Sequence, residues 1–348
     1  MKKYSVIVPV YNRPDEVDEL LASLCRQTLT DFEVIVVEDG SSVPCREVCQ
    51  RYEGRLDLHY FQKPNGGPGQ ARNYGAERAQ GDYLLVLDSD VVLPEGYLQA
   101  VDDELAQTPC DAFGGPDAAH PSFTPVQKAI SYSMTSFFTT GGIRGGKKKL
   151  DKFYPRSFNM GIRREVYQSL GGFSRMRFGE DIDFSYRIVE AGHQPRLFPS
   201  AWVWHKRRTD FRKFFRQVYN SGIARINLEK RHPGTLKLVH LLPMVFTVGV
   251  IVLVLTSALG RAMIHYDAAH WRAWYWVALL PWVPIFLYSL LIFIDSTLRN
   301  RSLRVGLLSV PAAFVQLMGY GFGFIVAWWK RCVLGQDEFT AFEKNFYK

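Results

Sequence analysis

Three long apolar runs near the C-terminus constrain this chain most. They are LKLVHLLPMVFTVGVIVLVLTSALG (Leu236 to Gly260), WYWVALLPWVPIFLYSLLIFI (Trp274 to Ile294) and LRVGLLSVPAAFVQLMGYGFGFIVAWW (Leu303 to Trp329). Each reaches the ~20 residues that a helix needs to cross a bilayer. The competing reading is a buried helical core. Tryptophans near the ends of the second and third runs favour the membrane, because indole rings settle at its interfaces. Pro311 and several glycines leave the third run open to a bent or re-entrant path. Lys230 and Arg231 before the first run, and Arg299, Arg301 and Arg304 between the second and third, suit the cytoplasmic side. Arg261, Arg272, Lys330 and Arg331 do not help the assignment.

The remainder has a different composition. Mean hydropathy over all 348 residues is -0.09, but residues 1 to about 235 mix apolar, charged and turn residues as a globular chain does. The formal net charge of +8 admits nucleic acid, an anionic membrane surface or phosphorylated small molecules as partners. The apolar C-terminal third selects the membrane among these, and no nucleic-acid partner is expected. The five cysteines are scattered and form no CxxC pair, which fits free thiols in a reducing compartment. YSVIVPVY after Lys2 and Lys3 is too short for a signal peptide and runs into the polar NRPDE.

Before residue 205, strand and helix patterns alternate. YSVIVPVY, FEVIVVED, LDLHYF and DYLLVLD read as strands, and RPDEVDELLASLCRQ and GPGQARNYGAERAQ as helices. Strands this apolar, separated by helices, predict an α/β fold with a mostly parallel sheet covered on both faces. Such sheets bind ligands beyond the carboxyl ends of their strands. Asn12, Glu38, Asp39, Asp88 and Asp90 all fall there. Two acids one residue apart, Asp88 and Asp90, follow the core strand Tyr83 to Leu87. Desolvating them costs several kcal/mol unless a partner offsets it. A divalent cation is one such partner, since magnesium and manganese prefer oxygen ligands. Capping of the next turn is the other reading, and DxD alone does not separate them.

The motifs together do. SVIVPVYNRPDEVDELLASLCRQT (Ser5 to Thr28), FEVIVVEDGSS (Phe32 to Ser42), NGGPGQARNYGAERAQGDYLLVLDSDVVLP (Asn65 to Pro94) and LGGFSRMRFGEDIDFSYRIVEAGH (Leu170 to His193) resemble family 2 glycosyltransferases, inverting nucleotide-sugar enzymes of the GT-A fold. The resemblance covers roughly residues 4 to 210. It implies that Asp39 binds the nucleobase, that Arg72 lies beside the nucleotide, that Asp88 contacts the ribose and that Asp90 holds a magnesium or manganese ion. It implies Asp181, in GED, as the catalytic base; by position alone the acid would read as an N-cap, and both can hold, since Glu180 and Asp183 could serve the helix terminus. Some relatives use a histidine at the position of His205 as a second metal ligand. Inverting transfer requires such a division: one group takes the proton of the attacking hydroxyl while a metal offsets charge on the departing diphosphate. Asn65 to Gly69 lacks the lysine and spacing of a P-loop and reads as a turn. Gln217 is not followed by the Arg-Trp of QxxRW, which argues against a processive synthase.

The segment His205 to His232 holds nine Lys/Arg and two acids. Phe211, Phe214, Phe215 and Val218 share one helical face, so the segment reads as a basic amphipathic helix at a membrane interface. GGIRGGKKK, Gly141 to Lys149, is expected to be a loop over the site. The expected organisation is a GT-A catalytic domain at 1–204, an interfacial segment at 205–235, and a membrane region at 236–348 with about three transmembrane helices and a short tail. The expected activity is hexosyltransferase-type, metal-dependent transfer from a nucleotide sugar to a lipid-linked saccharide in cell-surface polysaccharide synthesis. The chain would be multi-pass in the inner (cell) membrane, in contact with its lipids, with its catalytic domain cytoplasmic. Alternatives are a polyprenyl-phosphate sugar synthase and a membrane-tethered nucleotide-binding protein without catalysis. A nucleotidyltransferase would carry a glycine-rich basic loop where this chain has PVYNRPDE.

Overall fold

The structure is a computed structural model, and it describes residues 3–120, 122–140, 153–176 and 178–338. The segment Gly141 to Lys149 therefore lies outside the described residues. The chain divides into two compact units. Among the described residues the first holds 3–120 and 153–206, and the second holds 122–140 and 207–338.

Among its described residues the first unit has ten strands: β1 (Tyr4–Val10), β2 (Phe32–Asp39), β3 (Leu58–Lys63), β4 (Tyr83–Leu87), β5 (Val91–Val92), β6 (Ala112–Gly114), β7 (Asp117–Ala118), β8 (Asn159–Arg163), β9 (Arg196–Leu197) and β10 (Val203–His205). Seven form one sheet in the order β3-β2-β1-β4-β8-β6-β9. β1, β2, β3 and β4 run parallel, and β8 is antiparallel to both its neighbours, β4 and β6. The central strands are apolar on both faces because both are covered. Val6, Val8 and Val10 enter one core with Leu20, Leu21 and Leu24 of the helix Pro14–Leu24. Ile7, Ile35 and Val37 point the other way, into a core with Ala71, Phe173 and Phe184. This period-2 division fixes the register, since a slip of one residue would exchange the two cores. Each such side chain contributes about 1.5–3 kcal/mol on burial.

A smaller sheet, β5-β10-β7, lies past β4. Its antiparallel register pairs His205 with Val91, the residue after Asp90. The Lys206 amide also donates to the Asp90 carbonyl at 3.0 Å. Two-residue strands are set by partners distant in sequence, so no local pattern announces them.

The second unit is helical. Three stretches, Leu238–Tyr266, Trp271–Asn300 and Leu303–Val333, are long and apolar enough to cross a membrane. The second breaks near Pro281 into helices Trp271–Leu279 and Trp282–Asn300. The third helix, Leu303–Trp328, runs unbroken with Pro311 inside it. Its glycines serve close packing. A Cβ at Gly323 would overlap the Tyr219 carbonyl, and one at Gly222 would overlap the Tyr320 carbonyl. These contacts seat the helix Phe211–Arg231 against the third apolar helix. The helix Pro125–Thr135, opened by a Thr124–Gln127 capping box, packs Ala129 with Val305 and Ala312, and Tyr132 with Ile292 and Ala313. The Tyr132 hydroxyl donates to Asp295 at 2.7 Å.

Candidate active site

The site residues collect at the carboxyl edge of the parallel strands. Asp39 ends β2 and is buried. Its carboxylate accepts from the amides of Gly66 and Gly67 at 2.9 and 2.8 Å and from Lys63 Nζ at 2.6 Å. The NGG turn is thus folded around Asp39, and Lys63 joins it from the end of β3. On the preceding residue, Glu38 accepts from the Cys45 amide at 2.7 Å and from the Ser41 hydroxyl, which shapes the loop after β2. Asn12 sits just past β1 at φ 55° and accepts from the Val43 amide at 2.9 Å. Asparagine tolerates this left-handed backbone better than most residues.

Asp88 and Asp90 follow β4. Asp90 is buried, and its oxygens lie 2.6 Å from Arg13 Nη1 and 3.2 Å from His205 Nε2. The His205 ring stacks on Phe158, centroids 5.0 Å apart, and its Nδ1 lies 3.8 Å from Asp117. Burial pulls the imidazolium down, but the Asp90 carboxylate, with help from Asp117, outweighs it and lifts the pKa to about 9. Asp88, Asp90 and His205 each offer one ligand atom, and these atoms lie within 4.8 Å of one another. Two carboxylates and one imidazole form a donor set that fits manganese, and magnesium with more of its own water retained.

Arg72 projects from the helix Pro68–Ala76 and is buried. It donates to Asp88 at 2.8 Å and to Glu180 at 2.9 Å, and its guanidinium stands 5.1 Å from the Phe173 ring. One cation therefore joins the DSD segment to the GED segment. The second segment opens the helix Glu180–Glu190, entered through Gly179 at φ 87°, a left-handed turn that suits glycine. Asp181 Oδ2 accepts from Arg156 Nε at 2.6 Å, and Oδ1 accepts from the Ile182 amide at 2.9 Å. Burial acts to raise the Asp181 pKa, but Arg156 and the other donors hold it below the usual carboxylate range. Glu180 goes the other way. Burial raises it to about 7, with Asp181 adding to the rise and Arg72 opposing it. The two neighbouring acids are thus driven apart: Asp181 is ionised at neutral pH, and Glu180 is poised near it.

The structure brings Asp88, Asp90 and His205 into one cluster. It places Arg72 and Asp181 nearby through the Glu180 bridge, and Asp39 at the β2 end of the same edge. Sequence reasoning missed Arg13, Lys63, Asp117 and Arg156. Arg13 was visible only as the residue opening a helix, and Arg156 stands in no recognisable motif. Glu180 was read as a helix-terminus acid, and its pairing with Arg72 spans 108 residues.

Residues 5–171 match the family model for Glycosyl transferase family 2. The chain carries a family 2 glycosyltransferase domain. Among curated proteins it is similar to the uncharacterized glycosyltransferase EpsJ of Bacillus subtilis, at 35% identity over 186 residues, 52% of each chain. It is 42% identical over 94 residues to the poly(ribitol-phosphate) beta-N-acetylglucosaminyltransferase TarS of Staphylococcus aureus, covering 26% of this chain and 16% of TarS. The pre-mycofactocin glycosyltransferase of Mycobacterium tuberculosis is 27% identical over 249 residues, 66% of this chain and 48% of that protein. The chain thus spans from about a sixth to about half of the length of these relatives. Among solved structures, the mannosyltransferase PcManGT of Pyrobaculum calidifontis, in complex with GDP-Man and Mn2+, aligns over 96% of this chain and 88% of its own, with a TM-score of 0.55 at 15% identity. That likeness shows the shared GT-A fold.

Proposed function

We propose that this protein is a membrane-anchored, inverting glycosyltransferase that moves a sugar from a nucleotide-sugar donor to a hydroxyl of an acceptor. The observation that carries the reading is that Arg72 links two acidic groups, donating to Asp88 in one and to Glu180, the neighbour of Asp181, in the other. One group, Asp88 and Asp90 with His205, suits a metal and a diphosphate. The other, Asp181, is an ionised acid at a helix start. PcManGT, with GDP-Man and Mn2+, supports the donor and metal classes.

The roles follow from the placement. Asp39 accepts a hydrogen bond from the nucleobase, and Lys63 and the NGG amides set its orientation. Asp88 contacts the ribose. Asp90 and His205 would hold the divalent cation, which when bound offsets charge on the leaving diphosphate. Arg72 is a positioning residue that fixes Asp88 relative to Glu180. Asp181 takes the proton of the acceptor hydroxyl as that oxygen attacks the anomeric carbon from the face opposite the leaving group. The acceptor is a lipid-linked glycan, and the catalytic unit faces the cytoplasm at the inner membrane. The apolar helices support the lipid carrier.

A panel of nucleotide sugars, each scored for released nucleoside diphosphate with manganese or magnesium, tests this reading. Release from one or two donors, abolished by chelation, is expected. Binding of a nucleotide sugar without release from any donor, in the presence of membrane lipid extracts, would favour a binding protein on a transferase scaffold.

A further inference from the structure

Arg156 differs from Arg187 and Arg72 in what it leaves unused. Arg187 donates from Nε to Asp183 and from both terminal nitrogens to the carbonyls of Leu170 and Gly172. Arg72 spends its terminal nitrogens on Glu180 and Asp88. Arg156 donates from Nε to Asp181 at 2.6 Å, and among the described residues that is its side chain's hydrogen-bond partner, so the terminal nitrogens are left over. Its side chain is 37% exposed and that of Asp181 is 12% exposed, so the pair is partly open to solvent on the arginine's side. The segment that carries it is fixed. The Ser185 hydroxyl donates to the Pro155 carbonyl at 2.5 Å, and Tyr154 meets Tyr186 edge-on at 4.9 Å. Arg156 is therefore held beside the first turn of the helix Glu180–Glu190, partly exposed, with its terminal nitrogens not taken up by the contact to Asp181.

We infer that the acceptor carries a phosphoryl group close to the hydroxyl that receives the sugar, and that the terminal nitrogens of Arg156 bind it. The guanidinium fork matches phosphate oxygens in geometry and charge. Its position also solves a problem of the acceptor-free site. A base paired with an arginine is a weak proton acceptor. An anion on the outer side of the guanidinium draws off part of the cation's field, and Asp181 becomes more basic when the acceptor is seated. Binding and activation are thus coupled through one side chain. The inference rests on Asp181 being the base, as proposed above. The phosphoryl group can belong to a lipid carrier or to a polyol-phosphate chain, and the test separates these sources.

Two readouts on the full-length protein are needed, because one of them must not depend on turnover. The first is equilibrium binding with nucleoside diphosphate and manganese saturating the donor site. The probes are a polyprenyl phosphate in detergent, a soluble glycerol phosphate oligomer, and neutral octyl glucoside. Wild type should prefer one phosphate probe to the neutral one, and Arg156→Gln should lose about tenfold of that affinity. Arg156→Lys should recover part of it. Preference for the lipid assigns the carrier, and preference for the oligomer assigns the polymer. Equal binding of that probe by wild type and a folded Arg156→Gln would overturn the inference. So would a wild type that ranks all three probes alike. The second readout is the steady-state rate with matched phosphorylated and neutral acceptors. Arg156→Gln should raise the acceptor KM for the phosphorylated one and leave the donor KM in place. An equal loss of kcat on both acceptors would reduce Arg156 to orienting Asp181. Asp181→Asn separates the two claims: if that variant keeps its rate, the base assignment fails, while the binding comparison at Arg156 still decides the phosphoryl contact.

Discussion

At the scale of single residues, ion pairs between distant segments hold the site together, and Arg72 is the most exposed to test. It is buried, and two carboxylates depend on it. Removing one member of a buried ionic cluster leaves uncompensated charge and costs about 3–5 kcal/mol. Arg72→Met should therefore lower the thermal transition by several degrees, measured in detergent, whereas an exposed arginine such as Arg212 should tolerate the same change. His205 supplies a second expectation. Its imidazole binds a proton up to about pH 9, and metal ligation needs it neutral. The folded pKa lies above the unfolded one, so the proton's contribution to stability is complete below about 6.5 and is lost as pH rises through about 9. In the proposed role of His205, manganese would displace that proton. Affinity for manganese should rise between pH 6.5 and 9 in wild type and vary less in His205→Asn, as titration calorimetry would show. Asp88, Asp90 and His205 were singled out by the resemblance rather than by a local pattern, and the structure brings their ligand atoms together. Arg13 and Arg156 were not, because their pairs with Asp90 and Asp181 span 77 and 25 residues and leave no trace in spacing.

At the scale of elements, hydrophobic period was the reliable signal and partnership was not. The continuous apolar run through Val6, Ile7 and Val8 announced a strand buried on both sides, and β1 is buried along its whole length. The face of Phe211, Phe214 and Val218 announced a helix, and Phe211–Arg231 is one. What covers that face could not be read. Phe214 and Val218 pack with Ile130 and Met134, which lie about eighty residues earlier in the chain, and the rest of the helix meets the third apolar helix. The glycines of the third run gave a misleading cue. They admit close backbone approach within a continuous helix. Gly323→Leu should accordingly destabilise the helical unit by at least the 1–3 kcal/mol typical of overpacking. Gly249, which has open space around it, should accept alanine with little change. Thermal unfolding in detergent compares the two.

At the scale of the whole molecule, a GT-A unit of α/β construction is combined with helices long and apolar enough to span a bilayer. Salt screens charge contacts but does not extract a spanning helix. The full-length protein should stay in the membrane fraction through a high-salt wash, and release of most of it would contradict three spans. The fold class and the apolar helices were legible in the sequence. The reversed β8 and the two-residue strands were not, because distant partners set them. The account's central claim is the division of labour between the cluster at Asp88 and Asp90 and the acid at Asp181, and Asp181→Asn tests it most directly. The amide keeps the shape and removes the proton acceptor. The transfer rate should fall by about 10²–10⁴-fold, in kcat and kcat/KM together, with donor affinity measured by calorimetry changed little. Near-normal turnover by folded Asp181→Asn protein would contradict the account, and so would loss of donor binding in step with the rate.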